Sequence, residues 1–455
     1  MHKEVNMLHG SITKGLMSMM IPIMIMTVMQ NMFSIIDMTV LGNLVDDNAV
    51  GAVGACGMLI TLCTSLLIGV SAGANVVVAK HLGAGERKKA EEAVGTGIAF
   101  ALVGGAAVMI IGVAFARIFL EWTNCPPDLL NQATAYFRIY FIGAPAVMFY
   151  NFTASVLRAA GDTKSPMYFL ILGGVVKICL NLFCVTVLKI DVEGTALGTV
   201  ISNLIAGIFC FIKLMKMKDI FSVSFKMMKI HPAELKPMLY IGIPSGLQSA
   251  MYSLANVIIV ATVNTFGKEA TTGVSIANQF DGVMYQIIYA PSLALIPYLS
   301  QNIGAGNIER AKKSIIKATL LTIAFGATLG ALSAVFSGGL SSIMSKNPEV
   351  IMYAKQKMML ISATYFICGI NEIIGGALRG MGKPMLPTVA TFIYMCVFRF
   401  IWVYGIFPYL PDSLTYLYLV WPVGWILSIL TIVPACIATL KKLEKNSKEK
   451  KYELR

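Results

Sequence analysis

The chain has 455 residues, of which 57% are hydrophobic and 13% are charged, and its mean hydropathy is +0.74. A soluble domain of this length carries about a quarter charged residues, so the polar surface that a water-facing globule needs is missing. The composition therefore predicts an integral membrane protein. The net charge of +13 does not indicate nucleic acid as a partner, because the basic residues lie between apolar runs.

Twelve apolar runs are long enough to cross a bilayer as helices, which takes about 20 residues each. In chain order they are 16–42, 51–79, 93–116, 132–156, 167–188, 194–214, 238–264, 272–299, 314–338, 353–377, 387–409 and 414–440. A membrane β-barrel would show alternating segments of about 10 residues instead. The first run lacks a small-residue cleavage site, so we expect a retained helix and not a signal peptide. The predicted fold is all-α and integral to the membrane.

The distribution of basic residues among the loops predicts the orientation of the protein in the membrane. Most of them fall in the N-terminal tail, in every second loop and in the C-terminal tail, and by the positive-inside rule these regions face the cytoplasm. This count places Arg379 on the cytoplasmic side and Lys357 on the opposite side, and it names Arg138, Lys177 and Arg399 as bases within spans. We expect a multi-pass protein of the plasma (inner) membrane with both termini in the cytoplasm.

Cysteine and histidine give no sign of catalytic chemistry. The nine Cys and four His residues form no pattern of metal ligands, no nucleophile with its base and no disulfide framework. The glycines of the 79–85 loop lack the strand and the Lys-Ser/Thr of a nucleotide-binding loop. We therefore expect neither an enzyme nor a bound cofactor or metal.

An internal repeat predicts the architecture. A shift of 221 residues aligns landmarks in separate loops, which are the 79–85 loop with 300–306, Pro127-Asp128 with Pro348-Glu349, and Leu157-Arg158 with Leu378-Arg379. Each copy holds six spans, an even number, so the two copies enter the membrane in the same direction around a pseudo-twofold axis along the membrane normal. We predict an N-terminal six-helix lobe at 1–212, a basic cytoplasmic linker at 213–237, a C-terminal six-helix lobe at 238–440 and a basic cytoplasmic tail at 441–455. Such a duplication is typical of transporters, with the substrate path between the halves.

An ordered set of motifs resembles the multidrug and toxic compound extrusion (MATE) family of the MOP flippase superfamily. The set comprises Phe33-Ser-Ile-Ile-Asp37-Met-Thr-Val-Leu-Gly42, Leu82-Gly-Ala-Gly85, Leu157-Arg-Ala-Ala-Gly-Asp162, Gln301-Asn-Ile-Gly-Ala-Gly306 and Leu378-Arg-Gly-Met-Gly382. The resemblance spans residues 12 to 440. It implies a multidrug efflux antiporter that exports small, amphipathic, cationic organic compounds in exchange for H⁺, with Na⁺ as the alternative coupling ion. Its partners would be the organic substrate and the lipid bilayer, and we expect a monomer.

Two other functions remain open. A lipid-linked oligosaccharide flippase of the same superfamily would often have fourteen spans and a strongly basic central cavity. A channel or a non-transporting membrane receptor would depend little on an ion gradient.

Ionisable side chains at membrane depth are costly and so invite functional hypotheses. Asp37 matches the first-helix acid that many family members use for cation coupling, although it could also be an acid near the membrane interface. Lys177 and Asn181 stand where some branches carry an Asn and an Asp or Asn. A lysine there disfavours a Na⁺ site, and the Asp37–Lys177 couple would be either switchable or a fixed ion pair. The remaining first-lobe candidates are polar residues, with Thr199 assigned to cation coupling and Gln30, Ser34, Asn151 and Asn203 to the substrate cavity.

The second lobe has its own polar set. Candidates for its substrate cavity are Gln248, Asn278, Asp281, Tyr285, Glu372 and Arg399. Asn278, Asp281 and Tyr285 share one face of a helix at the spacing of three to four residues. Arg399 is expected either to form a salt bridge with Glu372 or Asp281, or to act on the substrate or the proton.

Overall fold

The computed structural model describes residues 4–123, 125–218, 220–221, 227–411 and 413–453. Parts of the predicted linker (219 and 222–226) and of the predicted tail (454 and 455) lie outside the described residues. Within the described ranges the regular structure is helical and no strand occurs, which confirms the all-α prediction.

Fifteen α-helices follow one another along the described chain. They are α1 (Ile12–Leu44), α2 (Asp47–Gly83), α3 (Arg87–Trp122), α4 (Pro127–Ile142), α5 (Ala144–Ala159), α6 (Lys164–Thr186), α7 (Val192–Lys216), α8 (Pro232–Asn264), α9 (Lys268–Gly304), α10 (Ile308–Met344), α11 (Pro348–Gly380), α12 (Met385–Thr391), α13 (Phe398–Ile401), α14 (Leu414–Tyr418) and α15 (Val420–Glu453).

Among the described residues, eleven helical segments are long and apolar enough to cross a membrane, and α4 with α5 can form a twelfth. These two helices meet at an angle of 44°. Pro145 lies at the start of α5, where its missing N–H weakens the connection to the preceding turn. The twelve predicted runs each coincide with one of these segments.

Most helices extend beyond the apolar runs that predicted them. The side chain of Asp46 caps α2 by accepting a hydrogen bond from the backbone N–H of Ala49 at 2.7 Å, so this helix begins well before its apolar core. Hydropathy reports the part of a helix that sits in hydrocarbon, whereas capping decides where the helix starts.

The segment between α12 and α14 departs from regular α-helix. The backbone takes π-helical turns at Phe392–Val397 and Trp402–Ile406, with the single α-helical turn of α13 between them. A π-helical turn holds about one residue more than an α-helical turn, and such turns are frequent at functional sites.

Two compact units make up the chain. The first comprises Ile21–Gly246 with a short N-terminal stretch that ends at Asn6, and the second comprises Met7–Met20 and Leu247–Arg455. The division within α8 falls after Gly246, eight residues beyond the predicted lobe boundary of 238. Met7 groups with the second unit because Arg310 of α10 donates to its carbonyl at 3.0 Å.

Each unit has its own aromatic and aliphatic core. In the first, Phe137 stacks on Phe141 with ring centroids 4.5 Å apart. In the second, the rings of Tyr365 and Trp425 stack at 6.3 Å. Small residues bring the helices close together, as where Gly330 of α10 lies directly against the backbone of Ser362 in α11.

Candidate functional site

The first unit holds a buried ion pair between α1 and α6. The ammonium of Lys177 lies 2.5 Å from Oδ2 of Asp37, and the side-chain amide of Asn181 donates to Oδ1 of the same carboxylate at 2.6 Å. Asp37 and Lys177 are each 8% exposed, and Asn181 is fully buried. Both carboxylate oxygens therefore accept from donors of α6.

Close helix packing positions this group. A Cβ atom on Gly174 of α6 would overlap the ring of Phe33 on α1, and these two residues lie one turn before Lys177 and Asp37. Gly198 of α7 likewise allows close packing against Asn181, because a Cβ atom at position 198 would overlap the amide oxygen Oδ1 of Asn181. That oxygen has no hydrogen-bond partner among the described residues.

The other first-unit candidates bond to their own helices. The hydroxyls of Thr199 and Ser34 donate to the carbonyls of Thr195 and Gln30, and the amides of Asn203 and Asn151 donate to Thr199 and Val147. Gln30 and Ser34 are exposed, whereas Asp37 on the same predicted stripe is buried. The structure thus brings Asp37, Lys177 and Asn181 together and leaves these others apart from them.

A second buried ion pair joins α9 and α11. Nζ of Lys357 is 3.1 Å from Oδ2 of Asp281 and also donates to Oδ1 of Asn278. Lys357 lies inside the predicted span 353–377, and the helix itself begins earlier, at Pro348 behind the cap of Asn347. Lys357 therefore lies within the helix, and it is 4% exposed.

Glu372 of α11 occupies a third polar cluster. Its Oε1 accepts from the hydroxyls of Tyr252 at 3.4 Å and Tyr285 at 3.3 Å, and its Oε2 lies 4.0 Å from Arg379. Arg379 also donates to Oε1 of Gln248 at 2.9 Å. Arg379 lies two residues beyond the predicted span 353–377 but still within the last turn of α11, and it is 5% exposed.

Arg399 of α13 pairs with neither predicted acid. Its Nη1 donates to Oδ1 of Asn256 at 2.7 Å, and its guanidinium lies 5.3 Å from the centre of the Trp421 ring. The expected salt bridge is absent because Asp281 pairs with Lys357 and the nearest base to Glu372 is Arg379. The site residues that the sequence prediction missed are Tyr252, Asn256, Lys357, Arg379 and Trp421. For Arg379 the missing signal was the true end of α11.

Apolar helices of membrane length that enclose several buried charged side chains define a polytopic membrane protein with a polar interior. The family model MatE matches residues 22–183 and 244–404, and the chain belongs to this family. Its members are transporters and not enzymes. Within the described residues no group of His, Cys, Asp and Glu side chains could hold a metal ion.

Curated relatives match along most of the chain. The Probable multidrug resistance protein YoeA of Bacillus subtilis is 25% identical over 386 residues, which cover 83% of each chain. The Probable multidrug resistance protein NorM of Thermotoga maritima is also 25% identical, with 84% of this chain and 83% of the relative covered. A solved outward-facing multidrug resistance MATE family transporter of the MOP superfamily aligns with a TM-score of 0.90 over 98% of this chain and 99% of its own. At 18% identity, that structure shows the shared fold alone.

Proposed function

We propose that the protein is a secondary-active antiporter that exports small, amphipathic, cationic organic compounds in exchange for H⁺. The curated relatives are named as probable multidrug resistance proteins, which supports export of organic compounds here. The coupling ion is inferred from the Asp37 site. The observation that carries it is the contact of Lys177 with Asp37 at 2.5 Å.

This contact disfavours a Na⁺ site at Asp37. A bound Na⁺ needs several oxygen ligands, but the carboxylate of Asp37 already accepts from Lys177 and from the amide of Asn181. An ammonium about 4 Å from a bound cation would repel it by about 4 kcal/mol at an effective dielectric constant of about 20. That energy corresponds to a loss of affinity of nearly a thousandfold.

A proton can bind the same carboxylate without competing for space. Protonation of Asp37 removes its charge and breaks the ion pair with Lys177, so the two protonation states favour different contacts between α1 and α6. Release of the proton restores the pair. This gives the carboxylate the two states that alternating access requires.

A cationic substrate suits the second unit. The carboxylate of Glu372 is held by two tyrosine hydroxyls, and aromatic rings beside a carboxylate favour an organic cation. We further propose the membrane organisation that the sequence predicts. It places the six-helix lobes at 1–212 and 238–440, both termini in the cytoplasm, and the protein as a monomer in the plasma membrane.

The decisive experiment uses the purified full chain in liposomes with the H⁺ and Na⁺ gradients imposed separately. We expect a pH gradient to drive export of a cationic dye and a Na⁺ gradient at symmetric pH to drive none. Export driven by Na⁺ and insensitive to collapse of the pH gradient would contradict proton coupling.

A further inference from the structure

Helix α8 presents three polar side chains of the second unit at intervals of one turn, and each contacts a buried charge on another helix. Gln248 accepts from Arg379 at 2.9 Å, Tyr252 donates to Glu372 at 3.4 Å, and Asn256 accepts from Arg399 at 2.7 Å. Along α8 the contacted charges are thus positive, negative and positive.

Among the charges that α8 contacts, Arg399 is a cation without a carboxylate partner. Glu372 faces Arg379 at 4.0 Å, and the neighbouring acid Asp281 pairs with Lys357 at 3.1 Å. Arg399 is 2% exposed, and its Nε has no hydrogen-bond partner among the described residues. A buried guanidinium without a carboxylate is costly, which is why such a group at membrane depth points to a ligand.

Comparison of the two repeats shows that Arg399 lacks a carboxylate partner of the kind that Lys177 has. The 221-residue offset places Arg399 one position after Lys177 and Asn256 two positions before Asp37. In the first unit the cation on the fifth span therefore has a carboxylate on the first span. In the second unit the corresponding helix supplies the neutral amide of Asn256, so the positive charge is not neutralised within the unit.

The side chains and backbone around Arg399 suit a guanidinium that exchanges one binding partner for another. Trp421 lies under the guanidinium at 5.3 Å and also under Nζ of Lys357 at 5.5 Å, and its side chain is only partly buried. The backbone takes π-helical turns on both sides of α13, and such turns are frequent at functional sites.

We propose that Arg399, with Asn256 and Trp421 beside it, binds an oxyanion, a carboxylate or a phosphate, on the exported substrate. The planar guanidinium offers several N–H donors in the fork geometry that matches these groups. The inference rests on the proposed export function and narrows its substrates to compounds that carry an oxyanion as well as an amine. Glu372, whose partner Tyr252 lies one turn (about 6 Å) from Asn256 on α8, would face the amine.

The test compares a rhodamine that has a free carboxylate with the methyl ester of the same dye. Binding to the purified full chain is measured by fluorescence polarisation, and export from liposomes is measured in parallel. We expect the wild-type protein to bind the carboxylate dye about tenfold or more tightly than its ester, because the neutral ester has no negative charge to pair with the guanidinium. Competition by methylumbelliferyl phosphate, compared with methylumbelliferone, extends the test to phosphate.

Two variants separate binding from folding. Arg399→Gln should remove the preference for the carboxylate dye, and Asn256→Asp should remove it while leaving Arg399 in place, because the new carboxylate occupies the guanidinium. Asn256→Asp also supplies the missing counter-ion, so its melting temperature should equal or exceed that of the wild type. Arg138→Gln, which removes an exposed arginine of α4, is the matched control and should keep the preference.

Equal binding of the two dyes by the wild-type protein, or an unchanged preference in Asn256→Asp, would overturn the oxyanion site. Export of the ester would then still support the proposed function. Failure to export either dye under a pH gradient would instead count against the export function itself.

Discussion

The ammonium of Lys177 and the carboxylate of Asp37 are in contact at 2.5 Å across the interface of α1 and α6. The second oxygen of Asp37 accepts from Asn181 at 2.6 Å, so both carboxylate oxygens are held by donors from one neighbouring helix. A change in the charge of Asp37 must therefore alter how α1 and α6 are held together.

Replacement of the acid should stop coupled export. In Asp37→Asn we expect export driven by a pH gradient to fall to background, because an amide cannot bind and release a proton in the physiological range. Dye export from liposomes is the measurement, and a preserved gel-filtration profile would show that the variant is folded. Asp128→Asn, at an exposed acid of α4, is the control. Undiminished export by Asp37→Asn would remove this residue from the mechanism.

Replacement of the base should change the ion response. Lys177→Asn removes the ammonium and adds an amide oxygen beside Asp37, which relieves the repulsion of about 4 kcal/mol that opposes a bound Na⁺. We expect Na⁺ to raise the thermal stability of this variant and not that of the wild type. Lys177→Met removes the charge without adding an oxygen and should show no Na⁺ response. The same Na⁺ response in the wild type would mean that Lys177 does not exclude the ion.

Addition of a methyl group at Gly198 of α7, which packs against Asn181, should destabilise the Asp37 site. In Gly198→Ala the new Cβ meets Oδ1 of Asn181, and such overpacking costs about 1–3 kcal/mol. We expect a lower melting temperature and weaker export. Gly54→Ala is the matched control, since a Cβ there has open space around it and alanine favours a helix by up to about 1 kcal/mol. Equal melting temperatures for the two variants would contradict the close approach of α7 to Asn181.

The ion pair of Asp281 and Lys357 should behave as a unit in stability. Asp281→Asn or Lys357→Met alone leaves a buried charge without its partner, which costs about 3–5 kcal/mol. The double variant should recover most of that loss. Thermal unfolding of the three purified variants in detergent measures the coupling. If the two single losses simply add in the double variant, the residues do not form a pair that contributes to stability.

The hydrogen bond from Arg379 to Gln248, in the polar cluster around Glu372, can be tested by removing its acceptor. Gln248→Leu removes the acceptor at 2.9 Å and leaves the guanidinium with its longer contacts to Ser292 at 3.4 Å and Glu372 at 4.0 Å. We expect a loss of about 1–3 kcal/mol, as for a buried charged group that loses its hydrogen bond. Gln356→Leu, on the partly buried face of α11, serves for comparison and should cost less. An unchanged melting temperature for Gln248→Leu would show that Arg379 finds another acceptor.

The amino-acid sequence by itself determined the class of the protein, its spans and its family. A run of about 20 apolar residues forms a membrane helix whatever its neighbours are, because its backbone hydrogen bonds close within the segment. The order of the motifs identified the family, and the depth of Asp37 and Lys177 on their own helices was enough to suggest their contact.

Only the tertiary structure decided which buried charges meet. Arg399 lies 143 residues from Asn256, and Arg379 lies 131 residues from Gln248. The choice between such partners depends on how each helix is rotated and how deeply it is set against its neighbours. The hydropathy of a sequence contains no information about the rotation or the depth of a helix relative to its neighbours. The hydropathy signal also ends where the hydrocarbon ends, so it left Arg379 outside the predicted span although α11 continues to Gly380.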